Sequence, residues 1–287
     1  MKSFVNLSHR LFGNVSSSLK VYFLDMKEDL QKANITYTLE EYISLALFTV
    51  IITFIAEALL LAVIFGFLAL DILTSMVLSF TLAGVLSALV FLLFYSYPKA
   101  KAKTRESKIK KVLPFSVSYM ATVSSAKAPP IVIFDTLSKF KEYGEIAEES
   151  KNITRNVSMF GMTFSSAIKK QARRTPSKEF KDLLWGINTV VSSGSDLTFF
   201  LKQKSDQMMN EYRRRIRKYS QDLSLFVEIY LTLIITGSIF FVVLSSIMSA
   251  FSGGLGTIII QSFVVFVLLP LLSIAFLIVI RSMSPTS

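Results

Sequence analysis

Hydrophobic and polar positions along this 287-residue chain separate into long apolar regions and charged stretches. The first apolar region runs from about Ile43 to Tyr97, and the second from about Leu225 to Ile280. Each is long enough for two helical spans of about 20 residues. The stretch between them is amphipathic and charged, with no strand-like alternation. The pattern predicts an all-α membrane protein in which two pairs of transmembrane helices flank an antiparallel helical bundle.

Changes in composition divide the chain into five parts. The expected parts are an N-terminal amphipathic helix (1–41), a first transmembrane pair (42–97), a helical domain (98–224), a second transmembrane pair (225–281) and a short tail (282–287).

Charge predicts the orientation of the chain in the membrane. From Pro98 to Ser224 there are 25 Lys or Arg against 12 Asp or Glu, whereas the net charge of the whole chain is +11. Lys and Arg collect on the cytoplasmic side of spanning helices, within ~15–20 residues of their ends. The basic residues next to the second and third spans are Lys99, Lys101, Lys103, Arg105, Lys108, Lys110, Lys111, Arg213, Arg214, Arg215, Arg217 and Lys218. We therefore expect a multi-pass protein of the cell membrane with both termini and the central domain in the cytoplasm.

The N-terminal stretch has apolar residues at steps of three or four from Phe4 to Ala33. This spacing predicts a helix lying along the membrane, with packing against the cytoplasmic domain as the alternative. A break is expected at Gly13 or at Ser16–Ser18. Thr38 and Glu41 then have the spacing of a capping box, which predicts the start of the first span.

Proline and glycine divide the central domain into short helices. Pro129 and Pro130 predict the start of one helix, because proline is tolerated in a first turn. Glycine is expected at the turns that follow three helices, at Gly144, Gly161 and Gly194.

Caps are expected at two further helix starts. Thr175 is the predicted N-cap of a helix with Pro176 at its first position, and Ser195 or Asp196 is the predicted N-cap of the last helix before the third span.

Composition argues against several kinds of enzyme. The absence of cysteine excludes disulfides, thiolate zinc sites and a cysteine nucleophile, and the single His9 leaves little imidazole chemistry. The segments Ser107–Lys110 and Ser166–Lys169 match the S-x-x-K spacing of serine–lysine hydrolases but lack companion motifs. We therefore expect neither catalysis nor a cofactor or metal.

Two carboxylates fall inside the predicted spans. Glu57 lies in the middle of the first span, where an exposed charge costs ~2.5–3.5 kcal/mol. It is expected to face a partner within the bundle, with a contact to another membrane protein as the alternative. Glu228 lies near the headgroups and is expected to pair with a basic side chain.

The basic stretches at the membrane predict an anionic partner. In the second stretch Arg213 and Arg217, like Arg214 and Lys218, are four residues apart and repel one another on a helix. Anionic lipid headgroups and an acidic protein surface are equal alternatives, and nucleic acid is disfavoured because aromatic residues are not interleaved with the charges.

Several short motifs together resemble the type II secretion system F-domain family, and above all its archaeal, tight-adherence C-like members. They are Leu113-Pro114-Phe115, Tyr119, Ser124-Ser125, Pro129-Pro130, Tyr143-Gly144-Glu145-Ile146, Gly161 with Ala167, Arg174-Thr175-Pro176-Ser177, and Ser193-Gly194-Ser195-Asp196-Leu197 with Leu201. The chain departs from the family at Ser124–Lys127, where many relatives have a glycine before the proline pair. It also shows one copy of a module that some archaeal relatives carry twice.

The resemblance implies a membrane platform of a type IV filament machine, which couples a cytoplasmic hexameric ATPase to insertion of pilin subunits. The filament is expected to be an adhesive pilus, with an archaellum as the alternative, and a homodimer would supply two modules. The residues expected to contact the ATPase or anionic lipid are Arg213, Arg214, Arg215, Arg217, Lys218, Lys108, Lys110 and Lys111. A phosphate loop of the G-x-x-x-x-G-K type does not occur in the sequence.

Two other classes of protein are less consistent with the sequence. A four-span permease needs a polar route through the bilayer, and the spans contain few polar groups besides Glu57, Glu228 and Gln261. A membrane signalling protein is disfavoured because no exterior sensing sequence is present.

Overall fold

The computed structural model describes residues 2–67, 71–252 and 255–283. The α-helices in this part of the chain are α1 (Lys2–Leu19), α2 (Leu24–Lys32), α3 (Leu39–Phe67), α4 (Ile72–Ser125), α5 (Pro130–Lys139), α6 (Glu145–Ser158), α7 (Phe164–Arg174), α8 (Lys178–Ser192), α9 (Leu197–Ile229), α10 (Gly237–Ser252), α11 (Leu255–Phe263) and α12 (Leu269–Met283). A 3₁₀ turn at Lys20–Phe23 joins α1 to α2, and π-helical segments lie at Tyr230–Thr236 and Val264–Leu268.

The all-α class is confirmed, since the described residues contain helices and no β-strand. Four continuous helical stretches are long and apolar enough to cross a membrane: Leu39–Phe67, Ile72–Ser125, Leu197–Phe251 and Ile259–Arg281. The second and third of these extend well beyond a bilayer, because α4 and α9 continue from the apolar regions into the central domain.

The chain divides into two compact units, Met1–Lys202 and Gln203–Ser287. The first unit contains α1 to α8 and the start of α9, and the second contains the rest of the chain. The five-part division by composition remains a prediction.

The N-terminal helices of the first unit pack on the membrane-spanning pair. Helix α1 contacts α3, and α2 contacts α4. The side of α1 that is buried carries Ser8 and Ser16, whereas Leu7, Leu11 and Val15 are exposed. Ser8 and Ser16 share one side of α1 with Phe12, whose ring lies 6.3 Å from that of Phe48 on α3, so this side of the helix faces α3.

The predicted break in the N-terminal helix was wrong in position. Gly13 lies inside α1, and the helix continues through Ser16, whose hydroxyl donates a hydrogen bond to the Gly13 carbonyl at 2.9 Å. Such a bond to the preceding turn satisfies the serine side chain within a helix. The interruption comes instead at Lys20–Phe23.

The first span begins as predicted, at a capping box. The Thr38 amide donates to Oε2 of Glu41 at 2.8 Å, and the Glu41 amide donates to Oγ1 of Thr38 at 3.3 Å. Helices α3 and α4 then run antiparallel, as two contacts show. The Tyr42 hydroxyl donates to the Phe94 carbonyl at 2.8 Å, and further along α3 the ring of Phe54 lies 5.9 Å from that of Phe80, earlier in α4.

A stripe of small residues on α4 is buried in the first unit. These residues recur every four positions and therefore share one helical face. They are Ser75, Ser79, Ala83 and Ser87.

The core of the central domain lies where the lower half of α4 meets α5 to α8. Apolar side chains from every one of these helices are fully or nearly fully buried there, which gives the domain a single continuous interior. They include Ile109, Leu113, Val117, Met120, Ile133, Phe134, Leu137, Ile146, Ile153, Ile168, Phe180, Leu183, Leu184 and Ile187.

The predicted cap at Thr175 was wrong. Thr175 instead follows the last residue of α7, and the N-cap of α8 is Ser177, whose hydroxyl accepts a hydrogen bond from the Phe180 amide at 3.2 Å. Thr175 and Ser177 both have extended backbone, with ψ of 135° and 122°, and α8 begins only at Lys178. Extended backbone is expected at Thr175 because it precedes a proline, and Pro176 lies before the helix and not at its first position.

The other turn residues have the conformations that their positions require. Asp196 Oδ1 accepts hydrogen bonds from the Thr198 and Phe199 amides at 2.8 and 3.2 Å, so Asp196 caps α9. Gly144, Gly161 and Gly194 have φ of +49°, +64° and +70°, a region that favours glycine. At Gly194 the Gly194 and Ser195 amides donate to the carbonyls of Val191 and Val190, which is a Schellman motif.

The second unit has a polar and aromatic pairing between its helices. The Tyr230 hydroxyl lies 3.1 Å from Ser273 Oγ, and the Tyr230 and Phe276 rings lie 4.9 Å apart. Gln261 on α11 donates to Ser246 Oγ on α10 at 3.1 Å. These contacts join the π-helical segment at Tyr230–Thr236 to α12, and α11 to α10.

Candidate interaction surfaces

The arginine-rich part of α9, which we call the arginine cluster, consists of Arg213, Arg214, Arg215, Arg217 and Lys218. All five side chains are exposed. Arg215 forms a long ion pair with Glu211 at 3.6 Å. A surface pair of this kind is worth little in water. The cluster therefore presents a concentrated positive charge that is available to an anionic partner.

The basic residues predicted on α4 have different surroundings. Lys108 and Lys111 are exposed, whereas Lys110 forms an ion pair with Glu179 on α8 at 2.8 Å. Burial alone would raise the pKa of Glu179, but hydrogen bonding and charge from Lys110 hold it below its usual value. Lys110 thus joins α4 to α8 in addition to being a candidate contact residue.

Arg105 does not belong to the exposed basic surface, although the sequence places it among the charges that follow the second span. Its side chain is only 8% exposed. The guanidinium donates from Nε to Oε2 of Glu145 at 2.7 Å, from Nη2 to Oε1 of Glu149 at 3.2 Å, and from Nη1 to the Lys32 carbonyl. One arginine on α4 thereby connects α2 with α6.

Glu149 is the most deeply buried carboxylate of this network. Burial raises the pKa of Glu149, and the neighbouring Arg105 opposes the rise only in part. Gln171 and Thr175 adjoin the carboxylate. Even so, Oε2 of Glu149 and the Thr175 hydroxyl have no hydrogen-bond partner within the described part of the chain. Sequence reasoning missed this site because no local motif marks it.

The two carboxylates of the apolar regions differ in burial. Glu57 is half-buried, and its Oε2 is enclosed without a hydrogen-bond partner among the residues that the structure describes. The pairing of α3 with α4 places it level with the Val77–Ser79 turn of α4. Glu228 is exposed on α9.

No group of three or more His, Cys, Asp or Glu side chains in residues 2–67, 71–252 and 255–283 is arranged to hold a metal ion.

Comparison with known proteins finds a family profile that matches part of the chain. The sequence profile of type II secretion system (T2SS) protein F matches residues 117–245, which run from the core of α4 through α5 to α9 into α10. No solved structure matches the chain.

Archaeal relatives match over about half of the chain. Flagella accessory protein J of Methanocaldococcus jannaschii is 26% identical over 145 residues, which are 50% of this chain and 26% of that protein. The protein of the same name from Methanococcus voltae is 28% identical over 145 residues, again 50% of this chain and 26% of that protein. An uncharacterised M. jannaschii protein is 24% identical over 142 residues, or 50% of this chain and 24% of that protein.

The match thus covers only about a quarter of the length of these curated relatives. Within this chain the T2SS protein F profile covers the helices that build the buried core of the central domain and continues into the second apolar region. Residues 117–245 are therefore similar to the type II secretion system (T2SS) protein F family.

Proposed function

We propose that this protein is the integral membrane platform of a type IV filament machine. The observation that carries the proposal is the T2SS protein F domain at residues 117–245, joined to helices that are long and apolar enough to cross a membrane. In this role the protein couples a cytoplasmic hexameric ATPase to insertion of pilin subunits at the filament base. It acts as a scaffold and performs no catalysis.

The division of labour with an ATPase follows from the chemistry of the chain. Energy from nucleotide hydrolysis has to come from a partner, because the sequence contains no phosphate loop. The arginine cluster offers that partner an exposed cationic surface, and complementary charge accelerates and orients docking. Anionic lipid headgroups are the alternative partner for the same side chains.

The proposed orientation places the central domain and both termini in the cytoplasm. The 25 basic residues between Pro98 and Ser224 support it, as does the brevity of the links within each apolar region. Pilins would then meet the platform only through its membrane-spanning helices. Two copies of the chain are proposed to act together as a homodimer, and the mass of the purified protein in nanodiscs measures this directly.

Two filaments are candidates. An adhesive pilus is our first proposal, and an archaellum is the second because two relatives are named flagella accessory protein J. Deleting the gene tests the platform role: surface filaments seen by electron microscopy should disappear and return on complementation. Loss of surface attachment would identify an adhesive pilus, and loss of swimming an archaellum. Filaments that persist in normal number without the protein would contradict the proposal.

A further inference from the structure

A cleft in the first unit has a chemistry that neither the family nor the predicted basic surfaces explain. Its first part is a cavity of about 300 Å³ lined by residues of α2, the linker to α3, α4, α6 and α7: Gln31, Asn34, Thr36, Arg105, Asn152, Arg155, Asn156, Phe160, Lys170, Gln171 and Arg174. An adjoining cavity of about 500 Å³ shares Gln31, Lys170 and Arg174 and adds Lys169 and Arg173. The two cavities form one cleft, and no carboxylate lines either of them.

Five cations at this cleft have no ion pair with a carboxylate in the part of the chain that the structure describes: Arg155, Lys169, Lys170, Arg173 and Arg174. The polar contacts seen for two of them are to neutral amide oxygens. Arg155 donates to Oδ1 of Asn152 at 3.0 Å, and Lys170 donates to Oδ1 of Asn156 at 3.5 Å. Glu145 and Glu149 are already bound by Arg105. Glu40, which lines an adjoining cavity with Arg174, is paired with Lys20 at 2.7 Å.

The arrangement of these cations on α7 is unfavourable without a ligand. Lys169 and Arg173 are four residues apart, as are Lys170 and Arg174, so each pair of like charges shares one side of the helix. The negative end of the helix dipole offsets part of this repulsion. An anion in the cleft would remove the rest.

The walls of the cleft are well fixed. Asn156 is 7% exposed, and its backbone carbonyl accepts a hydrogen bond from the Met162 backbone amide at 3.1 Å across the turn at Gly161. Arg105 is held by its ion pairs with two carboxylates of α6, Glu145 and Glu149. Fixed amide and guanidinium groups that converge on one space are the donors that bind phosphate oxygens best.

We propose that this cleft binds a phosphate-bearing ligand through Arg155, Lys170 and Arg174. The phosphate has two possible sources. Gln31, Thr36 and Arg174 also line a third cavity, together with Lys20, Lys27 and Leu39, at the start of α3. The cleft therefore extends to the first residue of a membrane-spanning helix, where a phospholipid headgroup is available, while its other end is open to soluble phosphate. The proposal does not rest on the platform function.

The test compares two variants of the full chain in nanodiscs of phosphatidylcholine. The cleft variant carries Arg155→Gln, Lys170→Gln and Arg174→Gln. The control carries Lys141→Gln, Lys181→Gln and Lys202→Gln, which remove the same charge from exposed side chains that line neither cavity. The thermal unfolding midpoint, followed through the single Trp185, is measured with inorganic phosphate, with chloride at equal ionic strength, and with phosphatidylglycerol added to the disc.

The unfolding midpoints of the wild-type and control proteins should rise with phosphate, with phosphatidylglycerol or with both. The cleft variant should need at least about a tenfold higher concentration of the same probe for an equal rise, because it has lost three charged donors. A response to phosphate in solution identifies a soluble ligand, and a response to phosphatidylglycerol alone identifies a lipid headgroup. If the triple variant fails to fold, Arg174→Gln alone carries the same expectation. No response of the wild type to either probe, or equal responses in all three proteins, would overturn the proposal.

Discussion

Arg105 on α4 and Glu149 on α6 form an ion pair of 3.2 Å in which both side chains are almost completely buried. The same guanidinium binds Glu145 and the Lys32 carbonyl, so the membrane-proximal part of α4 is fixed to both α2 and α6. A buried pair of this kind contributes little net free energy of folding, but loss of one partner costs about 3–5 kcal/mol because a charge is left unpaired. Its role here is to set the position of α4 relative to its neighbours.

The first prediction concerns pH. Burial raises the pKa of Glu149 above its ordinary value of 4.5, so the folded protein holds this proton more tightly than the unfolded chain does. The resulting stability is fully present below pH 4.5 and is lost as the pH rises through the folded pKa. The unfolding midpoint of the wild type should therefore fall relative to that of Glu149→Gln as the pH rises from 4.5 through the folded pKa of Glu149. A difference that stays constant with pH would refute the prediction.

The second prediction separates the two candidate caps of α8. Replacing Ser177 with Ala should lower the free energy of unfolding by about 1 kcal/mol, because the Phe180 amide loses its acceptor. Replacing Thr175 with Val should cost less, because the Phe180 amide keeps its acceptor and only the hydroxyl beside Glu149 is removed. Chemical denaturation of the full chain in detergent measures both. An equal loss in the two variants would restore Thr175 as the cap.

The third prediction concerns the left-handed turns. Gly161→Val and Gly194→Val should each destabilise the protein by roughly 1–2 kcal/mol, because a Cβ is disfavoured at their positive φ while nothing lies within 4 Å of it. Gly84→Val is the matched control, since this glycine also has open space around its Cβ position but lies within α4. Unchanged unfolding midpoints in the first two variants, combined with lost filament assembly, would indicate that the turns contact a partner directly.

The fourth prediction concerns topology. The chain has no cysteine, so single cysteines report position without background. A cysteine at Ser158, which is exposed at the end of α6, should react with an impermeant thiol reagent only after the cells are opened. A cysteine at Ser252, in the link within the second apolar region, should react in intact cells. The reverse pattern would overturn the proposed orientation.

Local signals in the sequence were sufficient to predict where several of the helices begin. The proline pair at Pro129 and Pro130, the capping box at Thr38 and the acidic cap at Asp196 each act within one helical turn, and α5, α3 and α9 begin there. The cap at Thr175 was misplaced because two hydroxyl residues flank Pro176, and either could cap a helix. A proline at the first helical position is common, so the sequence favoured Thr175, whereas in the structure the Ser177 hydroxyl accepts the capping hydrogen bond.

Features that depend on residues distant in sequence could not be predicted. Arg105 looks like one member of a solvated basic run, and only the fold brings Glu145 and Glu149 to it, 40 and 44 residues away. Similarly, Leu7 and Leu11 of α1 are exposed while Ser8 and Ser16 are buried, because the side of α1 that carries Phe12 packs on α3. One local feature of the sequence could have indicated the phosphate cleft, namely the like charges four residues apart on α7. The other walls of the cleft come from separate helices and could not be predicted.

The central claim is that the protein docks a cytoplasmic ATPase on exposed basic side chains. The most direct test is the affinity of the purified secretion ATPase of the same organism for the full chain in neutral-lipid nanodiscs, in which anionic lipid cannot compete. Arg213→Gln, Arg214→Gln and Arg217→Gln together should weaken binding at least about tenfold, because each removes a cation from the docking surface. The Lys141→Gln, Lys181→Gln and Lys202→Gln control should bind like the wild type. Equal ATPase binding by the arginine variant and the wild type would contradict the claim.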